Sequence, residues 1–363
     1  MRIFQTASIR PEYKRRLRQL TPTEATFPQR MAIYHKDAYI AVHTLLPVLD
    51  GAPEAFYTIA DDEIIQRRWA NERGMPDRSS LESILLAQIE EHRAEVFYTL
   101  STTAVSSDLA RRMPACVKAK IGHHAAPHSG HDMSAYLMVN NFPTILEYYR
   151  SLGIQTAYFA PSYDPAFDRL MSKNRRDIDI LFVGTYSRWH KRRAKTLEEI
   201  AALSSKYNVV FSLTRSKLNR LAETPLGLFG PLNSHRRPSA IRAITQAPTF
   251  GMAYNELLCR AKIIFNGATD IGGDDRGNMR CWEALGARAL MVSDAGAYPE
   301  GMRDGVTMRT YQTPEEAVSV IESALSRPQE TSDIAAAGHE MVRTLYSKER
   351  QWNAFQKIVE SRF

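Results

Sequence analysis

Between Asn278 and Gly286 three polar side chains, Asn278, Arg280 and Glu283, stand at spacings that bring them round one turn of a short helix. A Gly- and Asp-rich loop, Gly272 to Gly277, runs into that helix, and the apolar run Ala289 to Val292 follows it. A loop aimed at a helix N-terminus offers free backbone N–H groups and the positive end of the helix dipole, which favour phosphate. Arg280 adds a planar fork suited to a diphosphate, and Glu283 can accept hydrogen bonds from a ribose or sugar diol. A second basic loop, Gly184 to Arg193, follows the apolar stretch Ile178 to Val183. Open α/β sheets bind ligands there, beyond the carboxyl ends of their strands. Gly184 permits close backbone approach, while Arg188, Lys191 and Arg192 would neutralise a diphosphate. Cations at a helix start oppose the dipole, so an anion accounts for them better than a bare surface does.

Asp275 precedes Glu283 by eight positions. Two readings stay open: a carboxylate that meets the ligand, or a cap on the following helix by Asp274 or Asp275. Four of the ten histidines crowd between His123 and His131. Adjacent His123 and His124 point to opposite sides of an extended chain, which disfavours a shared metal. Contact with a sugar or general-base work by His123 or His124 competes with a loop that has no chemical role. Asp177 and Asp179 match a metal-binding DxD pattern, but they open a buried strand at the edge opposite the ligand and are set aside. GxxxxGK[ST], GxGxxG and GxSxG are absent from the sequence, which disfavours P-loop ATPases, dinucleotide oxidoreductases and α/β-hydrolases.

The elements that would carry these residues alternate between strand-like and helix-like runs. Ala55–Ile59, Glu95–Leu100, Val117–Ile121, Tyr136–Val139 and Ala157–Ala160 read as strands, with a helix after Ser79 and Glu82 as a capping box and another capped by Asn140 to Pro143. The polar run Leu170 to Asp177 reads as a linker, so 1–168 and 169–345 are expected to form two Rossmann-like domains. Strands are then expected at Ile178–Val183, Val209–Phe211 and Lys262–Phe265, and residues 214–250 as a long loop lining the cleft. Thr313 and Glu316 cap a helix with Pro314 at its first position.

Tyr254 to Gly286, with Asn266, Asn278, Arg280 and Glu283, resembles the donor half of glycosyltransferases of the GT-B architecture, above all the group around the spore maturation protein CgeB. Asp179 to Arg193, including Gly184, Arg188, His190, Lys191 and Arg192, and the stretches Leu152 to Ile154 and Ala160 to Phe167 resemble the same group. The resemblance implies two Rossmann-like domains facing a cleft, with a last helix, about 346–363, crossing back to the first domain. It implies transfer of a hexosyl-type group from a nucleotide-sugar to an unidentified glycan, lipid or protein acceptor, with no metal and no other cofactor. The spacing of Asp275 and Glu283 is that of the paired acidic motif of retaining enzymes, with Asp in place of the first Glu. There the first carboxylate contacts the donor sugar and the second the ribose. Asp275, Glu283 and His123 are thus the catalytic candidates. A nucleotide-sugar epimerase and a non-catalytic binding module are the alternatives on this fold.

Net charge is +7 with a pI near 9.2, which suits an acidic partner. No nucleic-acid-binding motif accompanies the charge, so nucleic acid is not expected. Lys14 to Arg18 reads as a solvated helix face that allows a weak contact with an anionic membrane. The start of the sequence lacks a signal-peptide pattern and no apolar run reaches about 20 residues, so a cytoplasmic protein is expected. Cys116, Cys259 and Cys281 are expected to be reduced thiols.

Overall fold

The computed structural model describes residues 1–127, 130–172, 175–228, 230–268 and 272–361, with the backbone alone for Leu226. The chain divides into two compact units, Met1–Ser162 with Tyr346–Phe363, and Tyr163–Leu345. The division falls after Ser162 rather than after residue 168, because the short helix Ala166–Met171 packs on Met252–Cys259 within the second unit. Of the expected linker, Lys173 and Asn174 lie outside the described residues.

Each unit is built on one six-stranded, wholly parallel sheet. In the first, β1 (Ile3–Ala7), β2 (Ala55–Ile59), β3 (Val96–Thr99), β4 (Ala119–His123), β5 (Leu137–Asn140) and β6 (Thr156–Tyr158) take the order β2-β1-β3-β4-β5-β6. Parallel strands are covered on both faces by crossover helices. Phe4, Phe97 and Met138 accordingly enter one apolar cluster, while their neighbours Ile3, Val96, Tyr98 and Val139 enter another on the opposite face. The last helix, Lys348–Glu360, buries Phe355 and Val359 in that second cluster. Its Lys348 Nζ donates to the carbonyls of Ala41 and Thr44, the latter at 2.7 Å.

The second sheet comprises β7 (Ile178–Gly184), β8 (Val209–Leu213), β9 (Thr245–Gln246), β10 (Ala261–Asn266), β11 (Leu290–Asp294) and β12 (Arg309–Tyr311), in the order β12-β11-β10-β7-β8-β9. Ile180, Phe182, Ile263, Phe265, Leu290 and Val292 pack on the helices Lys191–Ala202 and Pro314–Ser326, and the alternating Leu181, Ile264 and Met291 are buried as well. The near-continuous apolar runs of these strands thus have a physical cause: neither face meets water.

Several local expectations are corrected. Strand β1, buried along its whole length, lies between β2 and β3 and was not expected. The helix Leu81–His92 is capped by Ser80, whose Oγ accepts from Ser83 N at 3.0 Å, and not by Ser79 with Glu82, whose carboxylate instead holds Arg112. Residues 214–250 are no long loop. They form the helices Lys217–Ala222 and Ser239–Ala243, two 3-10 turns and β9, anchored by the buried Ile241 and an ion pair of the buried Arg237 with Glu223. In the basic helix Pro11–Leu20, Lys14 pairs with Asp61 at 3.0 Å and Arg16 with Asp37 at 2.6 Å. The expected solvated cationic face is therefore half neutralised. Among the described residues no helix is long and apolar enough to cross a membrane.

Candidate functional site

Because all strands of the second sheet run one way, the carboxyl ends of β7, β10 and β11 meet at one edge, where their loops gather. Asn266, the last residue of β10, is in register with Ser293 of β11 and lies one residue beyond the Phe265–Phe182 pair. The residues singled out on β10 and on the helix Met279–Gly286 converge here as two small networks.

The first network fixes the start of that helix. Asn278, its N-cap, donates Nδ2–H to Asn266 Oδ1 at 3.0 Å. Asn266 Nδ2 in turn donates to Ser293 Oγ at 3.2 Å, and Ser293 returns its hydroxyl to the Asn266 carbonyl at 2.8 Å. Asn278 is consumed by this tie and makes no side-chain cap bond to its own helix. Cys281 N is taken by the Asn278 carbonyl at 2.9 Å, but the Met279 and Arg280 N–H groups lack the usual side-chain acceptor and remain donors for an anion. Cys281 packs beneath, fully buried, its thiol pushed up to about 12 by burial, so it serves as an apolar filler.

The second network centres on Glu283, which is only 5% exposed. Arg280 Nη1 donates to Glu283 Oε2 at 2.7 Å and Tyr254 OH donates to the same oxygen at 2.8 Å. The Arg280 guanidinium also lies 4.9 Å from the centre of the Tyr254 ring, within cation–π range. Burial raises the Glu283 pKa above the usual carboxylate range, Arg280 opposes that shift, and Asp164 adds to it. Asp164 is itself buried, held by Ala166 N at 2.9 Å and Asn255 Nδ2 at 3.3 Å. Arg280 and Glu283 were read separately, as phosphate clamp and diol acceptor. The structure makes them partners, so any ligand contact by one is tuned by the other.

Asp275 sits on a loop that is stitched to the segment after β11. Arg276 N donates to Ala297 O at 2.7 Å and Ala297 N to Asp274 O at 2.8 Å, pairing Asp275 with Ala297 as an isolated bridge. Neither Asp274 nor Asp275 occupies the N-cap of the following helix, since Asn278 does. The cap reading of these two carboxylates is therefore withdrawn. Gly296 allows the close approach: a Cβ there would stand 2.6 Å from Asp274 O.

Gly184 ends β7, and the helix Lys191–Ala202 begins with three cations, no acidic residue in its first turn and no side-chain cap at His190. Arg188 and Lys191 are exposed. Arg192 donates to the Gln312 carbonyl and lies 4.0 Å from Asp294, and Asp294 accepts from Ala268 N at 2.6 Å. Arg193, which the sequence reading passed over, donates to Thr185 O at 3.0 Å, and its stem covers Gly267, where a Cβ would lie 2.9 Å from its Cγ. Arg192 and Arg193 are thus tied into the edge itself, Arg192 while half exposed, and Arg188 and Lys191 are exposed beside them in the sequence.

His123 belongs to the other unit, at the end of β4. Its ring meets that of His43 edge-on at 4.7 Å, its Nε2 is buried without a hydrogen-bond partner among the described residues, and burial lowers its pKa to about 4. It is therefore neutral near pH 7 and a weak base. His124 is anchored through its carbonyl by Asn140 Nδ2 at 2.8 Å, and His128 lies outside the described residues. Among the described residues no three His, Cys, Asp or Glu side chains converge as metal ligands. Asp177 pairs with Arg260 at 2.6 Å and Asp179 with Lys262 at 2.7 Å, at the amino end of β7, in keeping with the rejection of the DxD reading.

Sequence reasoning missed Tyr254 as a partner of Glu283, and also Ser293, Asp294 and Asp164. Tyr254 was named as the first residue of the stretch that resembles a donor half, with no role of its own, and the polar ends Ser293 and Asp294 followed an apolar strand without a pattern of their own. Only the register of β10 with β11 gives them a role.

Comparison with known proteins bears on the fold. Residues 215–357 match a family model described as glycosyl transferase-like. No curated protein sequence gives a significant match. Among solved structures, HepE from Anabaena in complex with UDP-glucose superposes with a TM-score of 0.58 at 13% identity, covering 99% of this chain and 99% of that one. A glycosyltransferase from Rickettsia africae gives 0.58 at 10% identity over 99% and 98%. AviGT4, a glycosyltransferase involved in avilamycin A biosynthesis, gives 0.56 at 12% identity over 100% and 97%. The chain has the two-sheet α/β fold of these glycosyltransferases.

Proposed function

We propose that this chain is a metal-independent glycosyltransferase of the GT-B kind, on the CgeB-like side of that group, and that its second unit holds a nucleotide-sugar donor at the carboxyl edge of β7, β10 and β11. The observation that carries the reading is the buried Glu283, held by Arg280 and Tyr254 one turn inside a helix whose N-cap side chain is spent elsewhere. A buried carboxylate is costly unless it is paired or has work to do. Both of its bonds land on Oε2, so its other oxygen can accept from a ribose hydroxyl. The first-turn N–H groups, Arg188 and Lys191 would meet the diphosphate, and Arg280 would balance the charge that develops as it departs. Asp275, on its stitched loop, would face the glycosyl carbon as positive charge builds there. HepE was solved with UDP-glucose, which makes that donor the first to test.

The test is calorimetry and turnover with UDP-glucose and other nucleotide-sugars in excess EDTA. Saturable donor binding, weakened about ten-fold or more in Glu283→Gln, and a glycosylated product are expected. Activity abolished by EDTA and restored by Mn²⁺ refutes metal independence. Donor converted to an epimer with no acceptor present would reassign the chain to epimerisation.

A further inference from the structure

The opposite edge of the same sheet, at the amino ends of β7 and β10 and just before β11, holds a cavity of about 650 Å³. Its size falls within the roughly 300–1,000 Å³ of small-molecule sites. Three cations line it, Arg176, Lys262 and Arg288, against one carboxylate, Asp179. Asp179 is already satisfied by Lys262 at 2.7 Å and Asn208 N at 2.8 Å. Among the described residues Arg176 donates to carbonyls alone, those of Ala261 and Ala287, the latter at 2.8 Å. Its charge is opposed by burial and by Arg288 nearby. Lys262 is thus neutralised by Asp179, but among the described residues no carboxylate pairs with Arg176 or Arg288, so the cavity keeps a net positive charge.

Arg288 reinforces the point. It closes the helix Met279–Gly286 in the left-handed region, at φ +54°, with its N–H on Leu285 O and Ala289 N on Ala284 O. Glycine suits that position better. The chain instead holds an arginine there, and its side chain lines the cavity. On the other wall the first turn of the helix Pro328–Leu345 adds Thr331 and Ser332, while Tyr207 and Leu325 supply an aromatic and an apolar surface.

We propose that this cavity is a second ligand site, for a small phosphate-bearing molecule with a planar or apolar body. Arg176, Lys262 and Arg288 would take the phosphate, and Tyr207 and Leu325 the body. The site shares no residue with the edge assigned to the donor, so its failure would leave the transferase reading untouched.

Calorimetry on the full chain with phenyl phosphate, inorganic phosphate and phenol tests it. Phenyl phosphate is expected to bind saturably and at least about ten-fold more tightly than inorganic phosphate, with phenol silent, because both charge and body are recognised. Arg288→Gly should weaken it about ten-fold or more while the Tm stays level or rises, since glycine relieves the backbone, and Arg188→Ala, at the exposed donor edge, should leave the affinity unchanged. The proposal is overturned if phenyl phosphate does not saturate or binds no better than inorganic phosphate. It is equally overturned if Arg288→Gly binds as wild type or if Arg188→Ala abolishes binding.

Discussion

Removing Arg280 should destabilise the second unit mainly through what it leaves behind. In Arg280→Ala the carboxylate of Glu283 loses its cation while remaining buried, with the side chains of the pair only 15% and 7% exposed. Breaking such a pair from one side costs about 3–5 kcal/mol. The lower end, about 3 kcal/mol, applies here, because Tyr254 still donates and Arg280 retains some contact with water. Glu283→Gln keeps an acceptor for Tyr254 and should cost about 1–2 kcal/mol. The double variant has neither buried charge, so it should resemble Glu283→Gln rather than the sum, a coupling of about 2–3 kcal/mol. Urea unfolding of all four proteins, followed by tryptophan fluorescence including the buried Trp282 on the same helix, measures the cycle. Losses that simply add would show that the ion pair is not what neutralises Glu283, and would remove the central support for the donor-site reading.

Glu283 has a folded pKa raised by burial, so its charge costs stability that is regained as pH falls through that pKa. Wild type should gain on Glu283→Gln in urea midpoint as pH falls through that raised pKa, above the range of an ordinary glutamate, while its donor affinity drops over the same window; midpoints that run parallel refute this. Asp275→Asn should lower kcat more than donor affinity, because its contact would strengthen only as the glycosyl carbon becomes positive; steady-state kinetics with unchanged kcat would remove Asp275 from the reaction. Gly296→Ala would set a Cβ 2.6 Å from Asp274 O and should cost about 1–3 kcal/mol and loosen the loop that carries Asp275; unchanged unfolding and donor affinity would show that the stitched loop adapts freely.

The sequence by itself determined the layering of this protein and the neighbourhood of its candidate site. The runs 180–183 and 289–292 are apolar throughout because parallel strands are buried on both faces, and that signal needs no partner to be read. Thr313, with Pro314 next to it, announces its helix from purely local chemistry. Asn278, Arg280 and Glu283 were legible for the same reason, since a helical turn fixes their proximity. Tertiary structure alone decided the rest. Strand β1 was hidden because Gln5 and Thr6 interrupt its apolar run, and they tolerate burial only through distant partners: Gln5 bonds His43 O and Leu45 N, and Thr6 bonds Thr58 O. The pairing of Asn278 with Asn266, the seating of Tyr254 on Glu283 and the burial of His123 against His43 likewise join residues far apart in the chain. Such contacts arise from strand register and helix packing, and no local pattern of residues encodes them.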